Sequence, residues 1–416
     1  MNKHTTSGFC SQGHLKPDEV QLVEIEEGIG RAESRLAMGE RLTTYLEQEA
    51  DAELGPRGER ADGVSTNWIC RRCGTGVRKM FRRNGRYRRR IVTMVGPVVV
   101  LVPLVRCKCG GYVTTPWKTL PPRSRFWYDV TLHGERQYLS GPSYRKNADL
   151  LSDSTGTQIS HMVGWRETQK AGVAARAIES QLPCPDVVIL DEMYVWVKGA
   201  KKPVLLAMDT LGHILGSEGP TSRSANSWRR LLEHLTERGV DPDHGLKYVV
   251  ADGDSSIRQA VEWVWGPDRM QHCVWHIMAA VRAEAKRVLG ETSRLVKEVM
   301  DDVRAVLMHR TRTEETVAKA AEKMAAFAQK YAGQPWVELV ARSFTEATRY
   351  LRSPILPCTN GTAERVIKEL RRRVKTMDGF KSYTGARNLL AVLIQWYNWW
   401  RDNHSASRRR YSAAEP

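Results

Sequence analysis

Four of the eight cysteines fall in two tight pairs, Cys70-Arg71-Arg72-Cys73 and Cys107-Lys108-Cys109, and no other feature restricts the folding of this chain so sharply. Each pair sits in a loop short enough for two thiolates to face one cation. Gly74, Gly110 and Gly111 permit the tight turns around them. Between the pairs lie two β-rich runs, Arg90–Val95 and Val98–Val105, joined at Gly96-Pro97. This order predicts a hairpin with a knuckle at each end: a zinc ribbon over residues 61–120, with structural Zn²⁺ on Cys70, Cys73, Cys107 and Cys109. Cys10 and His14 are read as a stray terminal pair.

The ribbon is strongly basic. From Arg71 to Arg90 there are ten Lys or Arg residues and no acid, and the whole chain carries 64 Lys and Arg against 47 Asp and Glu, a net charge of +17 over 416 residues. A balance of that sign points to a polyanionic partner, with DNA the default. Arg71, Arg72, Arg82, Arg83, Arg88, Arg89 and Arg90 are the expected phosphate contacts. No apolar run approaches the ~18–20 residues a membrane helix needs, and Val95–Val105 is broken by Pro97 and Pro103. No secretory signal is visible at the N-terminus, so a cytoplasmic protein, nucleoid-associated when bound to DNA, is expected. Residues 1–60 read as a helical segment, Pro17–Ala50, followed by an acidic, Gly-rich linker over Glu47–Gly63.

Residues 135–180 predict a helix-turn-helix. One helix opens at Ser143-Tyr144-Arg145-Lys146 with Ala148, Leu150 and Leu151 inward. A turn follows around Asp153–Gly156, and Thr157 caps a second helix carrying Ile159, Met162, Val163 and Trp165. Gln158, Ser160, His161 and Arg166 are left to face DNA.

Further on, an apolar run ending at Asp191-Glu192 alternates through Met193, Val195 and Val197 as one long strand. Strands follow at Pro203–Met208 and His213–Gly216, then a helix over Asn226–Arg238, a strand over Lys247–Ala251 ending at Asp252, a helix over Ser255–Trp265, and a short strand at Met270–Cys273. Three antiparallel strands followed by α/β alternation is the order of the ribonuclease H fold, in which the first and fourth strands are neighbours. Asp191 and Asp252 would then lie side by side, repelling each other unless a divalent cation sits between them. A third acid, Glu364, begins a late helix behind Thr359-Asn360-Gly361-Thr362, and Lys368, Arg371, Arg372 and Lys375 continue from it as a basic face. Residues 277–352 read as helix throughout, an all-α insertion that divides the catalytic domain into 184–276 and 353–403. The fold class expected is multidomain α+β. Trp396-Tyr397-Asn398-Trp399-Trp400 reads as core and 404–416 as a basic tail.

Together these residues resemble a bacterial DDE transposase of the insertion-sequence type, in the broad group that includes the Mutator-like families. The resemblance rests on Val188-Ile189-Leu190-Asp191, Val249-Val250-Ala251-Asp252-Gly253, Cys273-Val274-Trp275-His276 and Thr359-Asn360-Gly361-Thr362-Ala363-Glu364-Arg365, with Arg371-Arg372-Arg373-Val374-Lys375 and Gly379-Phe380-Lys381-Ser382 behind them. It covers roughly residues 60–405. The resemblance implies a catalytic triad of Asp191, Asp252 and Glu364 holding two Mg²⁺ or Mn²⁺ ions, with Glu192 a bystander on the other side of its strand. It implies Cys273 and His276 as a C-x-x-H signature, with a structural role expected. It also implies binding to the element's terminal inverted repeats and to target DNA, cleavage and strand transfer by transesterification, and a homodimer or larger assembly on DNA. The absence of a GxxxxGK[ST] phosphate loop agrees with a reaction that uses no nucleotide. The same residues also suit a DNA-binding regulator that has lost catalysis, or a ribonuclease H-like nuclease without strand transfer.

Overall fold

The computed structural model describes residues 17–54, 68–77, 80–114, 117–121, 124–178, 182–377 and 379–412. Cys10 and His14 lie outside the described residues. The chain forms two compact units, one of Met1–Tyr138 with Tyr144–Gly164, the other of Leu139–Ser143 with Trp165–Pro416.

The first unit opens with a single helix, α1 (Pro17–Leu54). β1 (Ile69–Cys70), β2 (Phe81–Thr93), β3 (Gly96–Cys107) and β4 (Val113–Thr114) follow, then α2 (Tyr128–Ser140) and α3 (Tyr144–Thr155). β2 and β3 form the expected hairpin, but it turns at 94–95, earlier than Gly96-Pro97, because Gly96 pairs with Thr93 inside the ladder. β1 pairs antiparallel with β4 and brings the two cysteine loops together. Alternation sorts the faces of β3: Val98, Val100 and Val102 are buried with Trp68, Trp117 and Leu120, whereas Val99 and Leu101 are exposed.

The helix α1 covers this hairpin and continues through 47–54, where the acidic composition reads as linker. Leu46 and Ala50 are fully buried in the ribbon core. The acids beside them have specific partners: Glu47 accepts the Leu101 N–H at 2.7 Å, Asp51 pairs with Arg83 at 3.1 Å and with Arg86, and Glu53 accepts the N–H groups of Lys118 and Thr119 at 2.8 and 2.9 Å. Burial of two apolar positions one turn apart, with carboxylates answering unpaired backbone donors, makes helix the better state for these residues.

The helix α4 (His161–Arg176) starts later than Thr157 would place it. Ser160 occupies the capping position, and its Oγ accepts the Met162 N–H at 3.3 Å. Asn147, Ala148, Leu151 and Thr155 form the buried face of α3 and Ile159 joins them, but Leu150, Met162 and Trp165 are exposed.

The second unit is built on β5 (Val187–Val197), β6 (Ala200–Asp209), β7 (Ile214–Glu218), α5 (Ala225–Glu237), β8 (Tyr248–Ala251), α6 (Ser255–Trp265) and β9 (Met270–His272). The sheet order is β7-β6-β5-β8-β9, with β6 antiparallel to β5 and β7, and β8 parallel to both β5 and β9. Val188, Leu190, Leu205, Ala207, Val249 and Ala251 pack against α5 and α6. The alternate positions Ile189, Leu206, Met208 and Val250 are equally buried, so both faces of the sheet are covered. The apolar run before Asp191 is therefore continuous rather than alternating.

Four helices follow: α7 (Val274–Leu289), α8 (Arg294–Leu307), α9 (Glu314–Lys330) and α10 (Pro335–Ala347). The expected start of the helical insertion at 277 falls inside α7, which runs unbroken from the end of β9. Gln271 of β9 is fully buried and ties this layer to the sheet, donating to the Ala347 carbonyl at 2.9 Å and accepting the Tyr350 N–H at 2.9 Å.

The chain returns through α11 (Gly361–Lys375) and ends in α12 (Tyr383–Ser412), which continues into the expected tail. Of the C-terminal aromatics Tyr397 is buried, but Trp399 and Trp400 are exposed, against the expectation of core. Among the described residues no helix is long and apolar enough to cross a membrane.

Candidate active site

Asp191 lies two residues beyond Ile189, and Asp252 two beyond Val250; Ile189 and Val250 are the last paired residues of the parallel β5–β8 ladder. Parallel register thus brings the two acids to the same end of neighbouring strands. After Asp252 the chain turns through Gly253 at φ +78°, where a Cβ would sit 2.2 Å from the His272 ring, so glycine is required. Burial holds His272 neutral, its pKa lowered to about 4.

Asp191, Glu192, His276 and Glu364 line one cleft of about 630 Å³, and α11 supplies Ile367, Lys368, Arg371, Arg372 and Lys375 to its wall. The helix explains the wall. Ala363, Val366, Ile367, Leu370 and Val374 are buried, while Glu364, Lys368, Arg371 and Lys375 recur on the exposed face as one acid followed by three cations. Burial raises the Asp191 pKa to about 6, and the charges of Asp252 and Glu364 add to it. Burial likewise raises Glu192 to about 7, against the pull of Arg223. Among the described residues only the four cysteines bring three or more ligand atoms within 4.8 Å of one another; Asp191, Asp252 and Glu364 do not approach so closely.

Glu192 corrects the sequence reading. It does not face away from the site but lines the same cleft as Asp191, and its Oε1 lies 3.1 Å from Nε of Arg223. The guanidinium of Arg223 also reaches Asp252 Oδ2 at 3.2 Å and Asp254 Oδ2 at 3.3 Å. Sequence reasoning missed Arg223 entirely: it stands in a loop after β7, and no spacing ties it to three acids on two other segments.

Asn360 was legible only as a helix cap. Its side chain makes no capping bond to α11. It is fully buried and donates Nδ2 to Asp191 Oδ2 at 2.9 Å, while its Oδ1 accepts from the Cys273 thiol at 3.1 Å. Cys273 therefore acts through Asn360 on Asp191. His276, three residues on, is raised in pKa by the Cys273 thiol beside it, and the carboxylates of Asp252 and Glu364 add to the effect. The two signature residues thus have different surroundings.

In the first unit the Sγ atoms of Cys70, Cys73, Cys107 and Cys109 all lie within 4.8 Å of one another, with Cys70–Cys109 at 3.5 Å and Cys73–Cys107 at 3.8 Å. Four thiolates around Zn²⁺ at ~2.3 Å would be spaced by about the same distances, so the cluster can hold a metal. The Cys73 N–H, followed by that of Arg72, helps lower the Cys70 pKa to about 6. The basic residues of β2 and of the turn after β1 divide in use. Arg83 is taken by Asp51, Arg89 by the carbonyls of Pro121 and Ser124, and Arg72 by the Cys109 carbonyl at 2.9 Å, whereas Arg82, Arg88 and Arg90 are exposed. Arg125 and Arg145 share a second cleft with Thr157, Gln158, Ser160 and His161.

Residues 69–402 match the family described as "Transposase, Mutator family", and the chain belongs to that family of transposases. It is 28% identical over 331 residues to the transposase for insertion sequence element IS406 of Burkholderia multivorans, an alignment covering 75% of this chain and 80% of that protein.

Proposed function

We propose that this transposase binds the ends of its insertion sequence and cuts and joins DNA by metal-dependent chemistry at Asp191, Asp252 and Glu364. The observation that carries the reading is a single cleft, in a Mutator-family chain, that combines Asp191 and Glu364 with the cationic stripe of α11. The sheet order and the position of the helical layer support reading 184–276 and 353–403 as a ribonuclease H-like domain with an all-α insertion.

The donor set suits Mg²⁺ or Mn²⁺. It consists of carboxylate oxygens, and burial raises the pKa of Asp191 to about 6 and of Glu192 to about 7, a penalty on their charged forms that a bound divalent cation would offset. Two divalent ions in such a site would activate the attacking hydroxyl and stabilise the leaving oxygen. Asn360 fixes the carboxylate of Asp191. Glu364 presents its acid from the first turn of α11, and Lys368, Arg371, Arg372 and Lys375 guide the phosphate backbone along the helix. His276 faces the same cleft and contacts the strand being cut. Water attacks first and releases a 3′-OH at each end; that hydroxyl then attacks target DNA in the same cleft.

In the first unit, Cys70, Cys73, Cys107 and Cys109 hold a structural Zn²⁺. The α3–turn–α4 segment reads DNA as a helix-turn-helix through Gln158, Ser160, His161 and Arg166, and Arg82, Arg88 and Arg90 bind phosphates. Two ends must be paired before joining, so a homodimer or larger assembly forms on DNA in the cytoplasm.

Purified protein, Mg²⁺ or Mn²⁺ and DNA bearing the gene's own flanks test the reading. Cleavage at defined ends with joined products is expected, and Glu364→Gln should bind the same DNA without cutting it. Metal-dependent nicking that persists in Glu364→Gln would remove the triad assignment; binding without cleavage by the native chain would turn the reading to a regulator.

A further inference from the structure

Arg223 is placed where a divalent cation would compete for the same oxygens. Its Nη2 reaches Oδ2 of Asp252 and Oδ2 of Asp254, and its Nε lies near Oε1 of Glu192, at 3.2, 3.3 and 3.1 Å. One guanidinium thus stands among three carboxylates from two segments, β5 and the turn after β8. Its grip differs from that of a structural ion pair. Arg258 meets Glu346 with two nitrogens on two oxygens, in the planar fork that fixes helices together. Arg223 instead donates single hydrogen bonds from Nη2 to Asp252 Oδ2 and Asp254 Oδ2, and its Nε, buried and close to Glu192, lacks an aligned acceptor. One nitrogen shared between two acids, and a second facing a third acid without alignment, hold it by charge and by two single hydrogen bonds rather than by a two-pronged fork.

The loop that carries Arg223 is itself firmly built. Ser224 caps α5 and accepts the Ser227 N–H, the hydroxyls of Ser222 and Ser224 lie 3.0 Å apart, and the Thr221 N–H donates to the Pro203 carbonyl at 2.9 Å. The backbone is fixed and only the side chain must move for the carboxylates to be released.

We propose that Arg223 is a resident counter-cation of the acidic cleft, a positioning residue that neutralises Glu192 and Asp252 while the cleft lacks metal and holds divalent-ion affinity down by competing for their oxygens. The inference rests on the reading of this cleft as the metal site. A charged group at the surface ordinarily contributes little, but one guanidinium shared by three acids reduces their mutual repulsion and must be displaced before a divalent ion can bind them.

The test is Mn²⁺ binding by the full-length, zinc-loaded protein without DNA, followed by the electron paramagnetic resonance of free Mn²⁺. Arg223→Gln should bind Mn²⁺ at least tenfold more tightly than the native chain. Arg223→Lys, which keeps the charge but cannot bridge three carboxylates, should bind severalfold more tightly and serves if Arg223→Gln fails to fold. A merely structural arginine would leave affinity unchanged or weaken it, and either result in a folded variant overturns the proposal. Asp191→Asn separates the two levels: if it binds Mn²⁺ as the native chain does, the metal site itself is misassigned.

Discussion

At the scale of single residues, the cleft depends on side chains whose chemistry is ordinary but whose neighbours are not. Asn360 is buried between an acid and a thiol, and Asn360→Ala would leave the Asp191 carboxylate and the Cys273 thiol without that partner. An unmade buried hydrogen bond costs ~1–3 kcal/mol. We expect a lower melting temperature and a cleavage rate at least tenfold slower, with DNA affinity kept; single-turnover cleavage beside a binding isotherm distinguishes these. Glu192 gives a pH prediction. Its pKa is raised to about 7, so between its unfolded value near 4.5 and pH 7 the folded state binds the proton more tightly. Stability of the metal-free protein attributable to Glu192 therefore falls as pH rises through that window. Glu192→Gln removes the titration, so its melting temperature should gain on the native chain from pH 4.5 to pH 7. A gap that stays constant would contradict the burial argument.

At the scale of elements, the cysteine cluster and α1 hold the first unit together through one core, in which Leu46 and Ala50 are buried with Cys70 and Cys107. A small sheet of two-stranded pieces has little core of its own, and metal binding in such a case is folding free energy. Cys70→Ser should abolish the one bound zinc expected per chain, lower the melting of the first unit and weaken end recognition, leaving Mn²⁺ binding by the acidic cleft intact. Unchanged zinc content would exclude the ribbon. Leu46 makes the complementary case: it is fully buried against the ribbon from α1, and Leu46→Ala should cost ~2–5 kcal/mol, read as an earlier thermal transition. A negligible shift would mean that α1 is not part of this core.

At the scale of the whole molecule, the net charge of +17 is distributed to different ends. Part of it is internal, as with Arg83 and Asp51, and part is exposed on β2 and along α11. Only the exposed part contributes counterion release on DNA. Replacing Arg82, Arg88 and Arg90 together by Ala should flatten the logarithmic salt dependence of DNA binding by about 0.9 for each phosphate no longer neutralised. An unchanged slope would show that these arginines do not touch the backbone.

The sequence by itself determined the strands and helices around the cleft almost to the residue, as at Ser255–Trp265, because apolar periodicity and caps act locally. It also determined the cysteine pairs, and the stripe of α11, whose cations recur at helical spacing. It failed where a residue's state depends on partners distant in sequence. The acidic stretch after Ala50 reads as linker because its arginine and backbone partners come from another segment, and Trp399 reads as core because periodicity cannot say how far a helix extends beyond its support. Only the tertiary structure decided that Glu192 turns into the cleft, that Asn360 serves Asp191 instead of its own helix, and that Arg223 stands among three acids. The physical reason is common to all three: a buried or crowded polar group takes whichever partner the packing brings within hydrogen-bond reach, and that is settled by contacts up to 169 positions apart in the chain.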